Sequence, residues 1–363
     1  MPHPNLDNRT AFAADVLHLV DEEHRPLATL VVKATFVILP GGSLARGARQ
    51  VGLLPAGEVH HPDRPEESSY RHEPEVAPFK PATDVALIGH AHAPRPRTTT
   101  MDIRLRVGPL MKQARVFGDR TWHRVAGATS LTAPATFEAL PIVHERAFGG
   151  WDRSAEDPVA HRCEPRNPVG RGFFARAGGA RDGVPAPNIE DIDHPIRMCH
   201  DAPPPAGFGF VSPHWQPRAG HAGTYDAAWR RGRCPLLPTD FDRRYFNAAA
   251  PGLIARGYLR GDEDVRADGL TPEGSLRFRL PGLPAPTARV VRAGQDDASP
   301  VMQLDTIVID LDARALFMLW RVSVALRGGP HDLRAVTFEC PASHALPRAD
   351  TIAATRGAAN QAT

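Results

Sequence analysis

The chain has 363 residues, 42% apolar and 23% charged, a globular composition that excludes a disordered chain and an integral membrane protein. Lysine and arginine number 43 against 41 acidic residues, and a formal net charge of +2 excludes a generally basic nucleic-acid binder. The 37 prolines and 31 glycines exclude an all-helical bundle, because both residues interrupt helices.

Residues 1–8 lack a basic segment leading into an apolar core, so no signal peptide is expected. The longest apolar run, residues 27–39, is broken by Lys33 and is too short to span a membrane. A cytoplasmic protein with no membrane insertion is expected. Its four cysteines, Cys163, Cys199, Cys234 and Cys340, lie far apart and read as reduced thiols.

In chain order, residues 27–39 are rich in β-branched side chains and end at Pro40-Gly41-Gly42, which predicts a buried strand. Residues 100–107 alternate, with Met101, Ile103, Leu105 and Val107 on one face and Thr100, Asp102, Arg104 and Arg106 on the other. That pattern predicts a sheet with one wet face, and residues 84–89 and 113–117 are expected to be its neighbours. Residues 145–257 are crowded with glycine and proline steps and show little periodicity. Trp151, Trp215, Tyr225, Trp229, Phe241 and Tyr245 are the expected anchors of this region. Two short helices are predicted in it, one capped by Thr224 with Asp226 in its first turn, the other capped by Thr239 with Asp242 at the third position. Strand character returns at residues 276–280, and residues 304–311 and 316–326 predict a hairpin turning at Asp312 to Ala315. Residues 32–36 faintly echo residues 320–324, too briefly to define a repeat.

The resulting fold class is mainly β, with sandwich-like sheets from both ends of the chain, a long loop-rich central segment and a few short helices. Residues 1–144 form the N-terminal β region, 145–257 the central segment packed on it, 258–344 the C-terminal β region and 345–363 a flexible tail.

Phosphate-loop, nucleophile-elbow, zinc-protease and paired C-x-x-C motifs are missing from the sequence. His90 and His92 would share one face of a strand, but no third metal ligand is identifiable, and His144-Glu145 lacks the second histidine of a zinc site. His60-His61, His161 with Cys163, and Cys199-His200 would serve only if the fold gathered them, so no metal or cofactor is expected. Asp240 with Asp242, and Glu190 with Asp191 and Asp193, offer acid/base or cation-binding chemistry, with helix capping and loop fixation as the plainer reading. Trp151 and Trp215, with Arg153, Arg166 and Arg218, offer either a cation–π binding surface or core anchors. Arg166, Asn167, Asn188, Asp226, Asp242 and Asn247 suit the fixing of irregular backbone.

A series of short motifs lies in a match that runs from Asn8 to about Leu326. It comprises VVKATF at Val31–Phe36, KPxTDV at Lys80–Val85, GDRxW at Gly118–Trp122, AFGG at Ala147–Gly150, RNPVG at Arg166–Gly170 and PNxE at Pro187–Glu190. It continues with PAGFG at Pro205–Gly209, GTYD at Gly223–Asp226 with Trp229, and LPxDFD at Leu237–Asp242 with Phe246-Asn247-Ala248. In this order the motifs resemble the uncharacterised bacterial family called domain of unknown function 2169. The chain departs from the family pattern at Phe210, where proline is usual, and in its C-terminal tail. The resemblance implies an accessory protein of type VI secretion, a non-enzymatic adaptor or chaperone that helps load an effector onto the VgrG/PAAR spike. It implies no catalytic residues. An enzyme using the central carboxylates and a glycan-binding β module are the alternatives.

Overall fold

A computed structural model describes residues 4–125, 128–175 and 182–349. From residue 350 on, the expected tail lies outside the described residues. The molecule is mainly β, and two sheets share one apolar core.

The larger sheet runs Ala13–Val20, Pro26–Ile38, Ala315–Ala325, Gln303–Asp310 and Asp84–Ile88 in spatial order, with Leu44–Arg46 pairing at the end of Pro26–Ile38. Its last pair is parallel, with Thr306 opposite Asp84. The predicted hairpin is its centre: Gln303–Asp310 and Ala315–Ala325 pair antiparallel around a turn in which Arg314 has a positive φ. Residues 32–36 and 320–324, whose sequences echo each other, lie on adjacent antiparallel strands, with Val32 opposite Trp320.

Pro26–Ile38 reads as a continuous apolar run because both of its faces are buried. Leu30, Val32, Ala34 and Phe36 enter the shared core. Lys33 and Thr35 point the other way, under residues 47–80, where Lys33 Nζ meets Glu75 at 2.7 Å and Gln50 pairs with the backbone of Thr35.

The second sheet has the order Ile189–Asp191, Leu110–Phe117, Thr100–Val107, Asp264–Asp268 and Ser275–Arg279. Ile103, Leu105 and Val107 face the core from it while Arg104 and Arg106 are exposed, as the alternation requires. Leu110–Phe117 is its hairpin partner across Gly108-Pro109. The expectation for residues 84–89 is corrected: Asp84–Ile88 belongs to the first sheet. A strand buried on both faces, apolar from Val85 to Ile88, carries no alternation by which to choose between sheets. A third, three-stranded sheet joins Asn5–Asn8, Leu333–Glu339 and Thr287–Arg292.

Both predicted helices exist in shorter form with different caps. Asp226 caps Ala227–Gly232, accepting from Trp229 N at 2.8 Å, while Thr224 donates its hydroxyl to Asp240. Asp242, not Thr239, caps the 3-10 turn Arg243–Phe246 by accepting from Arg244 N. In each case the carboxylate lies nearer the first turn than the threonine and takes the orphan amide. No helix among the described residues is long and apolar enough to cross a membrane.

Candidate binding groove

The central segment is organised around two buried asparagines. Asn167 donates from Nδ2 to the carbonyls of His144 at 2.8 Å and Phe148 at 3.0 Å, while its own carbonyl accepts from Gly150 and Gly170. Three glycines allow this approach. A Cβ on Gly149 would lie 2.1 Å from Asn167 O, one on Gly150 would lie 2.3 Å from Gly170 O, and one on Gly170 would meet Asn167 Nδ2. The AFGG and RNPVG motifs are therefore two halves of one interlock. Asn188 accepts at Oδ1 from Arg146 and Arg171 and donates from Nδ2 to Phe117 O and Asp119. Beside it Arg120 pairs with buried Glu190, which also accepts from Ile196 N. Burial raises the Glu190 carboxyl above its ordinary range, against the pull of Arg120.

This interlock carries a groove of about 860 Å³. Gly149, Gly150 and Gly170 line it together with Phe173, Phe174 and Arg171, and Arg64, Glu66 and Glu67 contribute charge. Trp151 stands in the groove at 49% exposure, held by the short pairing of Trp151–Asp152 with Arg162–Cys163, with the Arg153 guanidinium 5.7 Å from its ring centre. Glu145 also lines the groove and accepts from Ser69 N at 2.6 Å, Ser69 Oγ at 2.8 Å and Ser68 Oγ at 3.2 Å. Burial alone would raise this carboxyl, but the Ser69 bonds outweigh it and hold it below its ordinary range. A tryptophan beside an arginine, over glycine backbone and between charges of both signs, provides apolar area and polar fixing points for a protein segment.

The remaining candidate residues are distributed elsewhere. Trp215 is buried to 1%, edge-on to His144 at 5.4 Å with its indole N–H on His214, so it shares no surface with Trp151. Arg166 forms a two-pronged pair with Glu164, and Arg218 bonds Val211 O, Tyr245 O and Glu73. Of the two readings of Trp151, Trp215 and these arginines, Trp215 is a core anchor and the common surface is not formed. Trp151 and Tyr225, each 49% exposed, are also not buried anchors. Tyr225 packs on Trp229, whose indole donates to Leu236 O. Phe241 does anchor, in a cluster with Tyr245 and Phe246 that reaches Phe79. Asn247 is buried and ties the segment to the first sheet through Ala82 O and Asp84.

The carboxylates are engaged separately. Asp240 holds Thr224, Asp242 holds Arg244 and its own turn, and Asp191 holds His194. The Arg244 bonds pull Asp242 down to about 2. His90 pairs with Asp312, its ring 6.3 Å from that of His92. Among the described residues only Asp21, Glu22 and Glu23 approach one another as metal ligands would, and Arg25, Arg243 and Arg233 already bind them. The four cysteines are free. Glu145 and the Ser68-Ser69 step were missed in the sequence because residues 68 and 145 meet only through the fold.

A family model described as "Uncharacterized protein conserved in bacteria (DUF2169)" matches residues 23–321. No curated protein and no solved structure matches the chain.

Proposed function

The chain belongs to the DUF2169 family of uncharacterised bacterial proteins, and on that premise we propose that it is a non-enzymatic adaptor. In this reading it works in the cytoplasm, holding a type VI secretion effector for loading onto the VgrG/PAAR spike. The secretion role is taken from the family resemblance. The binding role is supported by one observation: Trp151 stands half-exposed in a groove whose backbone is fixed by buried asparagines and closely packed glycines. A rigid aromatic of this kind loses little freedom when a partner covers it, so its contact free energy is retained.

Co-purification with the product of the adjacent effector gene tests the reading. Trp151→Ala should lose at least 2 kcal/mol of binding, about 30-fold, while melting within a degree or two of the parent. Retention of the effector by the variant overturns the groove as the contact. Sugar binding through Trp151 with no effector complex supports the glycan-binding alternative, and turnover abolished by changing Glu190, Asp240 or Asp242 supports an enzyme.

A further inference from the structure

The sequence has three lysines, and two of them are neutralised inside the protein. Lys33 is paired with Glu75, and Lys80 with Glu73 and Asp84. The buried arginines follow the same rule, Arg120 with Glu190 and Arg321 with Asp305. Lys112 is different. Its ammonium donates to Pro251 O at 2.6 Å and lies 5.6 Å from the Phe208 ring centre, with no carboxylate of the described residues at ion-pair distance.

Lys112 lines a separate cleft of about 370 Å³, whose apolar walls include Met111, Pro204 and Pro217. His144 also lines it, buried, with its ring against Gly207 and edge-on to Trp215. Arg166 at the rim is already satisfied by Glu164. The cleft thus contains a cation with no carboxylate at ion-pair distance, inside a volume suited to a small molecule.

We propose that this cleft binds a small organic carboxylate with an apolar body, whose anionic group supplies the close counter-ion that Lys112 lacks.

The electrostatics agree. Desolvation pushes the Lys112 ammonium down to about 8, opposed by the more distant Asp191. His144 is pushed down to about 4 by burial, so its ring is neutral at pH 7 and adds no second positive charge to the cleft. The charged or titratable groups facing Lys112 from neighbouring elements are Asp191 and Asp193, His144 and the paired Arg166. A bound carboxylate favours the ammonium form, so binding takes up protons once the pH exceeds the free-state midpoint.

Benzoate is the probe, used with the full chain. In lysine-selective carbon NMR three Cε signals are expected, and the one absent from Lys112→Arg should titrate near pH 8 and shift upward with benzoate. Benzoate affinity should fall about tenfold per pH unit above that midpoint. Lys112→Gln should weaken binding at least tenfold, whereas Lys112→Arg, with a permanent cation, should keep binding and lose the pH dependence. Benzyl alcohol, a similar body without the charge, should bind at least tenfold more weakly than benzoate. The proposal is overturned if benzoate produces no shift at the Lys112 signal, if it binds Lys112→Gln as tightly as the parent, or if benzyl alcohol matches it.

Discussion

At the scale of single residues, burial separates side chains that hold the backbone from those free to touch a partner. Asn167→Ala would leave the carbonyl of Phe148 without a donor inside the protein and would take from His144 O one of its two donors, the other being Ala147 N. At about 1–3 kcal/mol for an unsatisfied group, a loss of about 1–3 kcal/mol is expected in urea unfolding. His144 gives a pH-dependent case. Its folded-state value of about 4 lies below the ordinary 6.5, so the unfolded chain binds the proton more tightly. Stability from this group is therefore complete above pH 6.5 and falls by up to about 3 kcal/mol as the pH drops towards 4. His144→Leu should flatten that part of the profile, which unfolding at pH 7 and pH 4.5 would show; an unchanged slope would contradict the assignment. The motif residues Asn167 and Asn188 were legible as backbone-fixing side chains from their chemistry beside proline. Their partners were not legible, because Asn188 answers to Phe117 and Asp119, some 70 positions away.

Among the elements, legibility followed periodicity. Thr100–Val107 could be read because one face is wet and the other dry. Ile103→Ala should cost about 2–4 kcal/mol through lost core contacts, while Arg104→Ala, on the exposed face, should stay within about 0.5 kcal/mol in the same unfolding experiment. Equal effects would mean that the strand register is wrong. Asp84–Ile88, with all five residues buried, carried no such signal and was expected beside the wrong strands. The short helices were expected too early in the chain because threonine and aspartate are both good caps, and only geometry selects the carboxylate that reaches the first turn. Lys112 gave no motif, since what sets it apart is the absence of a counter-charge that its two fellow lysines have.

Across the whole molecule, charge lies between the first sheet and the segments that cover it. Lys80 bridges Glu73 and Asp84, and Asp84 in turn accepts from Asn247 and from Ala248 N. Lys80→Met should cost about 3–5 kcal/mol by leaving Asp84 buried without a cation and Glu73 with Arg218 alone, and adding Glu73→Gln should recover part of the loss. Strictly additive losses in denaturant unfolding would argue against coupling within the cluster. The same sheet has a further consequence in time. Asp84–Ile88 finds its partner at Gln303–Asp310, and Pro26–Ile38 finds its own at Ala315–Ala325, nearly 300 positions further on. During vectorial synthesis at about 5–20 residues per second, the apolar strand Pro26–Ile38, paired on one edge with Ala13–Val20, would wait roughly 15 seconds to a minute for the neighbour on its other edge to be made. The sheet cannot close on the ribosome until Ala315–Ala325 has been made, so nascent chains of this protein are natural clients for factors that shield exposed strands.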